Sequence, residues 1–276
     1  MANMLNALKT IEQYKSDSPY YSELLDILAE LLILREEYHK TSDRMIFQVD
    51  EHLIPQKVAG GLPLIDFISG EFNLSLPRDY FLKLLDIAKK RSPEKTEEMI
   101  EQLHSGALDF ERMIRHTFDP LAEGDFPEEK DDDFYDLVEL FLEESLRPEL
   151  EKIASHYGDR ISQLKWSEGY CPICGKEPKI GKIKAGDGRR YLFCNQCGFE
   201  WHYRRVKCPF CGNEEQHALA YFTIEGDERY RVDVCNVCKR YIKMVDLRVT
   251  EQEADLDVED IATLHLDMLA YEEGYS

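Results

Sequence analysis

The chain has 276 residues, with 55 Asp and Glu against 34 Lys and Arg and a formal net charge of −21. Its 43% hydrophobic and 11% aromatic content supplies enough apolar side chain for a real core, which excludes global disorder. A field of this sign repels polyanions, which argues against a general nucleic-acid binder and leaves room only for a local basic patch.

From the N-terminus to about residue 165 the apolar residues recur at helical spacing. Leu24, Leu25, Ile27, Leu28, Leu31 and Leu32 form one wide apolar face, with Glu23, Asp26, Glu30 and Glu37 around the rest, and this predicts an amphipathic helix ending near His39. Residues 59–64, Ala-Gly-Gly-Leu-Pro-Leu, read as a loop. Pro77 stands where a first-turn proline is tolerated, ahead of Tyr80, Phe81, Leu84, Leu85, Ile87 and Ala88. Ser92-Pro93-Glu94 starts another helix, with Met99, Ile100 and Leu103 on its apolar face and Gly106 at its end. The acidic, turn-rich stretch 120–133 predicts a solvated connection, with docking of a basic partner segment as the alternative. A further helix is expected over 134–146, burying Leu137, Val138, Phe141 and Leu142, with Pro148 starting or kinking the next segment.

The pattern changes near Trp166. Residues 180–184 and 190–194 flank Ala185-Gly186-Asp187-Gly188, and residues 219–224 and 229–234 flank Glu225-Gly226-Asp227-Glu228, so two hairpins are expected. After about Val249 a tail helix is expected, capped by Asp257, carrying Ile261, Leu264, Met268 and Tyr271 and packed back on the body. The fold class is therefore α+β. An all-helical domain over 1–165 is followed by a double metal-binding module over 166–249, divided into 166–206 and 207–249, and by a C-terminal helix over 250–276. The N-terminus lacks an apolar run after a basic cluster, and the richest apolar stretch, 24–34, is interrupted by Asp26 and Glu30. A cytoplasmic protein is expected.

All eight cysteines fall between Cys171 and Cys238, in four C-x-x-C pairs. Disulfide staples would be scattered, so a reducing compartment fits better. The pairs form an internal repeat: Cys171-Pro-Ile-Cys174 matches Cys208-Pro-Phe-Cys211, and Cys194-Asn-Gln-Cys197 matches Cys235-Asn-Val-Cys238. A hairpin separates the pairs of each unit, with 19 intervening residues in the first and 23 in the second. Two cysteines three apart on a tight turn aim both sulfurs at one point, and two facing turns make a tetrahedral four-sulfur site. The spacing assigns Cys171, Cys174, Cys194 and Cys197 to one metal and Cys208, Cys211, Cys235 and Cys238 to another. Pairing of Cys194 and Cys197 with Cys208 and Cys211 is the sterically reasonable alternative. The donor set suits zinc or iron, zinc being favoured on chemistry alone as a structural ion. A thioredoxin-like dithiol needs a single reactive pair beside a βαβ unit, which four pairs on hairpins do not provide.

From Gly169 to the C-terminus the chain resembles the formate dehydrogenase accessory protein FdhE family. The resemblance rests on the four cysteine pairs in this order, on Arg190-Tyr-Leu-Phe before Cys194, on Glu200-Trp201 and Arg204-Arg205 after Cys197, on Tyr241-Ile-Lys243, and on Ala262-Thr-Leu-His-Leu-Asp267 with Glu272-Glu-Gly-Tyr275. In the helical half it rests on helical content and Gly61-Leu-Pro-Leu64. It implies a cytoplasmic accessory factor, not an enzyme, that binds the catalytic subunit of formate dehydrogenase before export. It also implies rubredoxin-like centres that hold iron, replaceable by zinc. No nucleic-acid partner and no membrane insertion are expected. The competing readings are a nucleic-acid-binding zinc ribbon and a rubredoxin-like electron-transfer protein.

Among single residues, Trp201 and Tyr203 are expected to cover the metal site as core residues, with partner contact as the alternative. Arg189, Arg190, Arg204, Arg205, Lys207, Lys239 and Arg240 are expected to balance thiolate charge. With both sites filled by cysteines, His202 and His265 are not expected to act as ligands or bases. No Ser/His/Asp order, phosphate loop or paired carboxylate stands out. Residues 166–249 hold 15 Lys and Arg against 11 Asp and Glu, leaving 19 against 44 in the remainder, so the acidity belongs outside the cysteine-rich module.

Overall fold

A computed structural model describes residues 2–41, 45–67, 70, 73–118, 133–249 and 254–276, and side chains from Met4 onward. The acidic stretch expected as a solvated connection lies, apart from Asp133, outside the described residues.

Among the described residues seven α-helices come first: α1 (Ala2–Asp17), α2 (Ser22–His39), α3 (Ile54–Ala59), α4 (Ser75–Lys89), α5 (Pro93–Ser105), α6 (Phe110–Phe118) and α7 (Asp133–Ser162). Their boundaries follow from local chemistry. Pro93 occupies the first turn of α5, where a missing N–H costs nothing, and Gly106 closes it. The largest departure from expectation is α7, which runs for 30 residues straight through Pro148. A proline in a helix interior forfeits one backbone hydrogen bond. That loss is offset here by burial all round the helix, since every residue from Glu144 to Leu150 is buried, and Leu142, Leu146, Leu150 and Ile153 stand at 0% exposure in the main core.

Six strands follow among the described residues: β1 (Ile180–Ile183), β2 (Arg190–Phe193), β3 (Glu200–His202), β4 (Leu219–Ile224), β5 (Asp227–Cys235) and β6 (Tyr241–Asp246). They form one sheet in the order β3-β2-β1-β6-β5-β4. The two expected hairpins, β1–β2 and β4–β5, are joined by a parallel pairing of β1 with β6, in which Ile180 sits opposite Lys243 and Ile183 opposite Asp246. Alternation then gives the sheet two faces. Ile183, Leu192, Trp201, Ile242 and Met244 face the core shared with the helical region. Ile180, Phe193, Tyr230, Val232, Val234 and Val245 face the other way, against Leu256, Leu266 and Ala270 of the tail.

The tail contains two helices in place of the one expected, α8 (Leu256–Ala262) and α9 (Leu264–Glu272), interrupted at Thr263. Its cap is Asp255, whose carboxylate accepts from the amides of Asp257 and Val258. Asp257, expected in that role, turns instead to Arg147 of α7. The tail packs on the sheet through a buried ammonium. Lys243 of β6, 2% exposed, reaches Asp260 and Asp267 at 2.7 and 2.6 Å, and the Tyr241 hydroxyl also donates to Asp267. Among the described residues no helix is long and apolar enough to cross a membrane.

Candidate metal centres

Each C-x-x-C pair forms the same turn. The first cysteine amide donates to the carbonyl five residues on, as in Cys171 to Lys176 and Cys235 to Arg240, and its own carbonyl accepts from the residue four on. That last residue adopts a left-handed backbone in every turn: Gly175, Gly198, Gly212 and, in the fourth, Lys239. Glycine suits this geometry at no steric cost, and Lys239 is the one non-glycine residue with positive φ among those described.

The turns face each other in two groups. The ligand sulfurs of Cys171, Cys174, Cys194 and Cys197 lie within 4.8 Å of one another, and so do those of Cys208, Cys211, Cys235 and Cys238. These are the groupings assigned from spacing; the alternative that joins Cys194 and Cys197 to Cys208 and Cys211 is not the one the fold assembles. A tetrahedral ion with metal–sulfur bonds of about 2.3 Å sets its sulfurs roughly 3.7 to 3.8 Å apart. The Cys208–Cys238 and Cys211–Cys235 separations are both 3.7 Å, and Cys171–Cys197 and Cys174–Cys194 are 3.5 and 3.4 Å. Both donor sets fit a four-coordinate thiophilic ion, the first after a slight expansion.

The electrostatics favour such an ion. Burial pushes the Cys171 and Cys197 thiols well above the ordinary value. Burial also opposes ionisation of Cys194, but hydrogen bonds from Cys171, Cys174 and Cys197 and from the Gln196 amide outweigh it and hold Cys194 well below the usual thiol range. At the second group burial again opposes the charge on Cys235, and the amides of Cys238 and Val237 turn it downward. In each group the surrounding hydrogen bonds thus favour ionisation of one cysteine while burial opposes it at others, and a bound metal would take all four as thiolates.

The surroundings of the two groups differ. The first belongs to the main core, together with Ile173, Phe199, Trp201 and Tyr203. Trp201 and Tyr203, expected to cover a metal site, are each 4% exposed. The helical region grips this group directly: the amides of Leu64 and Ile65 donate to the carbonyls of Pro172 and Ile173, and the Tyr170 hydroxyl donates to Gly61. From α7, Arg147 donates to the Asn195 carbonyl at 2.6 Å. In the second group Cys211 is exposed and Cys238 half-buried.

Beneath the first group lies an ion network that the sequence pattern did not reveal. Arg35 of α2 holds Glu144 with two bonds of 2.8 and 2.7 Å, and Tyr80 donates to the same carboxylate. Arg147 pairs with Asp257 and with Glu151 at 2.8 Å, while His39 meets Glu151 at 2.9 Å. Desolvation works against the Glu151 charge, but Arg35, His39 and Arg147 hold its carboxyl well below the usual range. The available signal was the placement of Glu144, Arg147 and Glu151 on α7 at intervals of three and four, among residues that otherwise read as apolar.

The basic runs do not mainly balance sulfur, contrary to expectation. Arg189 pairs with Asp187, Arg204 with Glu214 and Arg190 with Asp233. Lys239 donates to Asn236. Arg240 feels the charge of Cys238 and Cys208, but its first partner is Glu177, and its guanidinium lies 3.8 Å from the centre of the Phe210 ring. His202 packs edge-on against Tyr191 and His265 stacks near Tyr21, and neither belongs to a cysteine group.

Comparison with known proteins places this architecture. Residues 170–205 match the model "FdhE, central domain" and residues 206–276 match "FdhE, C-terminal domain". A "Protein FdhE homolog" from Aquifex aeolicus is 30% identical over 277 residues, covering 98% of this chain and 91% of that protein. The chain belongs to the FdhE family. A further FdhE homologue, from Pseudomonas aeruginosa, is 40% identical over 118 residues, 40% of this chain and 37% of its own. The crystal structure of the FdhE protein from Pseudomonas aeruginosa superposes with a TM-score of 0.72 over 99% of this chain and 92% of that one at 23% identity, so the family fold extends through the helical half.

Proposed function

We propose that this chain is a cytoplasmic accessory factor for formate dehydrogenase. In this reading Cys171, Cys174, Cys194 and Cys197 hold one metal ion, Cys208, Cys211, Cys235 and Cys238 hold a second, and the protein binds the catalytic subunit of the enzyme without turning over a substrate. The observation that carries it is a pair of complete four-sulfur groups in a member of the FdhE family. Four thiolates fill a tetrahedral ion and leave it no open position, which favours structure or electron exchange over metal-assisted hydrolysis. Iron is the preferred ion on the family resemblance. When bound, a metal cross-links the turns of its group, and iron would in addition accept or release one electron. The working division is a helical part over 1–165, cysteine units over 166–206 and 207–249, and a tail over 250–276.

The test is genetic and biochemical together. Deleting the gene in the native organism should abolish formate dehydrogenase activity, restored by the wild-type gene, and the protein should retain the enzyme's catalytic subunit in a pull-down. Normal activity in the deletion strain would remove the reading. Exposure of Cys211 favours one second reading, electron transfer through the second group. Zinc as the sole metal in protein purified from its native source would eliminate it.

A further inference from the structure

Beside the second cysteine group lies a cavity of about 350 Å3, floored by the sheet and walled by residues 205–210. Its origin is in the sheet. The face that carries Ile183, Leu192 and Trp201 into the main core continues across β5 and β4 as Arg231, Asp233 and Tyr221. There it is open enough to leave Tyr221 61% exposed.

Four cationic side chains, Arg190, Arg205, Lys207 and Arg231, line this cavity against one carboxylate, Asp233, and beside Cys208 and Cys235 of the second group; a fifth, Arg240, is already paired with Glu177. The Arg190 and Arg231 side chains are only 3% and 10% exposed, and both draw on Asp233, at 3.4 and 2.9 Å. Two buried guanidiniums therefore share a single negative charge. Nη2 of Arg190 donates to the carbonyls of Arg204 and Lys207, which fixes the guanidinium at the cavity wall, while its Nε has no acceptor among the described residues, and desolvation pulls its pKa below the ordinary arginine value although Asp233 opposes this. Lys207 donates to the Ser167 carbonyl and lies near the Tyr203 ring, and neither it nor Arg205 has a carboxylate at ion-pair distance among the described residues. Buried, under-compensated charge is costly unless something neutralises it. Much of the remaining lining is apolar, including Phe210, Leu219 and Ile242.

We propose that this cavity binds a small phosphorylated compound, its phosphoryl oxygens held by Arg190, Arg205, Lys207 and Arg231 and its ring or apolar portion against Phe210, Leu219 and Ile242. Guanidinium forks match phosphate oxygens two at a time. The volume falls within the roughly 300 to 1,000 Å3 usual for small-molecule sites. The acidic remainder of the chain repels long polyanions, which separates this ligand class from nucleic acid. The inference stands apart from the formate dehydrogenase reading and is tested on the purified protein alone.

The experiment is isothermal titration of the full-length, metal-loaded protein with ADP, with inorganic pyrophosphate, and with hexaglutamate as the carboxylate probe. The expected result is saturable one-to-one binding of ADP, tighter than pyrophosphate and weakened by salt. Arg205 is exposed, so Arg205→Glu should keep its metal content and thermal unfolding while binding roughly tenfold more weakly, the worth of one charge-assisted hydrogen bond. Lys207→Ala should weaken binding in the same direction, and Arg160→Glu on the distant helix α7 should leave it unchanged. Absence of heat with both phosphates at concentrations on the order of 1 mM would overturn the proposal. So would ADP binding that ignores both cavity substitutions, or hexaglutamate binding more tightly than either phosphate.

Discussion

The two cysteine groups have the same turn construction and opposite surroundings. The first is sealed in the main core and tied to the helical region by backbone hydrogen bonds from Leu64 and Ile65 and by Arg147. The second stands at the rim of the sheet, with Cys211 in solvent and a cationic cavity beside it. The sequence repeat gives both units one local geometry, and what each packs against decides its character. In the first unit the sheet face beneath the hairpin is filled by Ile183, Leu192 and Trp201; in the second the face of β5 presents Arg231 and Asp233. The first group is built to hold the fold together, whereas the second is the one that another molecule can reach.

Removing one sulfur from each group is the strongest way to break this comparison. A structural four-sulfur ion contributes on the order of 10 kcal/mol to its fold. Cys171→Ser should therefore collapse the core shared with α7, seen as loss of helical circular dichroism and of cooperative unfolding. Cys211→Ser should lose about one metal equivalent while the helical signal survives. Equal damage from both substitutions would erase the distinction. A mild chelator should likewise extract the second ion first, monitored by metal content over time.

Gly169→Ala comes next. A Cβ at Gly169 would stand 1.7 Å from the Pro209 carbonyl oxygen, a backbone atom that cannot rotate away. Gly169 leads into the first turn of one unit and Pro209 lies in the first turn of the other, so the clash would pry the two units apart. The expected cost is about 3 kcal/mol or more in urea unfolding. A change of a few tenths would mean that the units separate freely.

The Glu151 network allows a smaller, pH-dependent test of the seal around the first group. Its side chain is 23% exposed and receives Arg147, His39 and, at 3.4 Å, Arg35. Glu151→Gln should cost about 2 kcal/mol at neutral pH. Because the folded carboxyl titrates below its unfolded value, this contribution is fully present above about pH 4.3 and fades as the pH falls toward the folded value. The wild type and the variant should therefore converge in stability on acidification, and a constant gap would show that the charge is not what matters.

How much of the molecule was legible in the sequence depends on the range of the interactions. The cysteine turns, both hairpins, the start of α5 at Pro93 and the end of α2 at His39 depend on residues close in the chain, and they stand where the pattern put them. The parallel β1–β6 pairing that fuses the two units joins residues about sixty positions apart, and no local periodicity encodes such a register. Burial carried α7 past Pro148, and a long-range partner drew Asp257 away from the cap that Asp255 then filled. The network around Glu144 and Arg147 was hidden for the same reason, since a charged residue on a helix reads as solvated until the opposing helix is known. The cationic cavity is the sharpest case: Arg190, Arg205 and Lys207 stood out as basic residues and Arg231 did not, and only the sheet brings the four to one place.

The smallest expected effect concerns the one place where the repeat departs from itself. Three of the four cysteine turns end in a left-handed glycine, and the fourth ends in Lys239 with φ of 59°. A side chain in that region costs on the order of 1 kcal/mol. Lys239 recovers part of it by donating to Asn236 at 3.1 Å and by lying over the Tyr275 ring, while its carbonyl accepts from the Ser276 amide. Lys239→Gly would relieve the strain and delete the side-chain contacts, so stability should rise by less than about 1 kcal/mol. The informative readout is local: hydrogen exchange at the Lys239 amide, which donates to the Cys235 carbonyl, should slow if backbone strain is what loosens the second group. Faster exchange would instead assign the turn's stability to the anchored C-terminus, and would make the tail, not the metal, the element that keeps Cys235 and Cys238 in register.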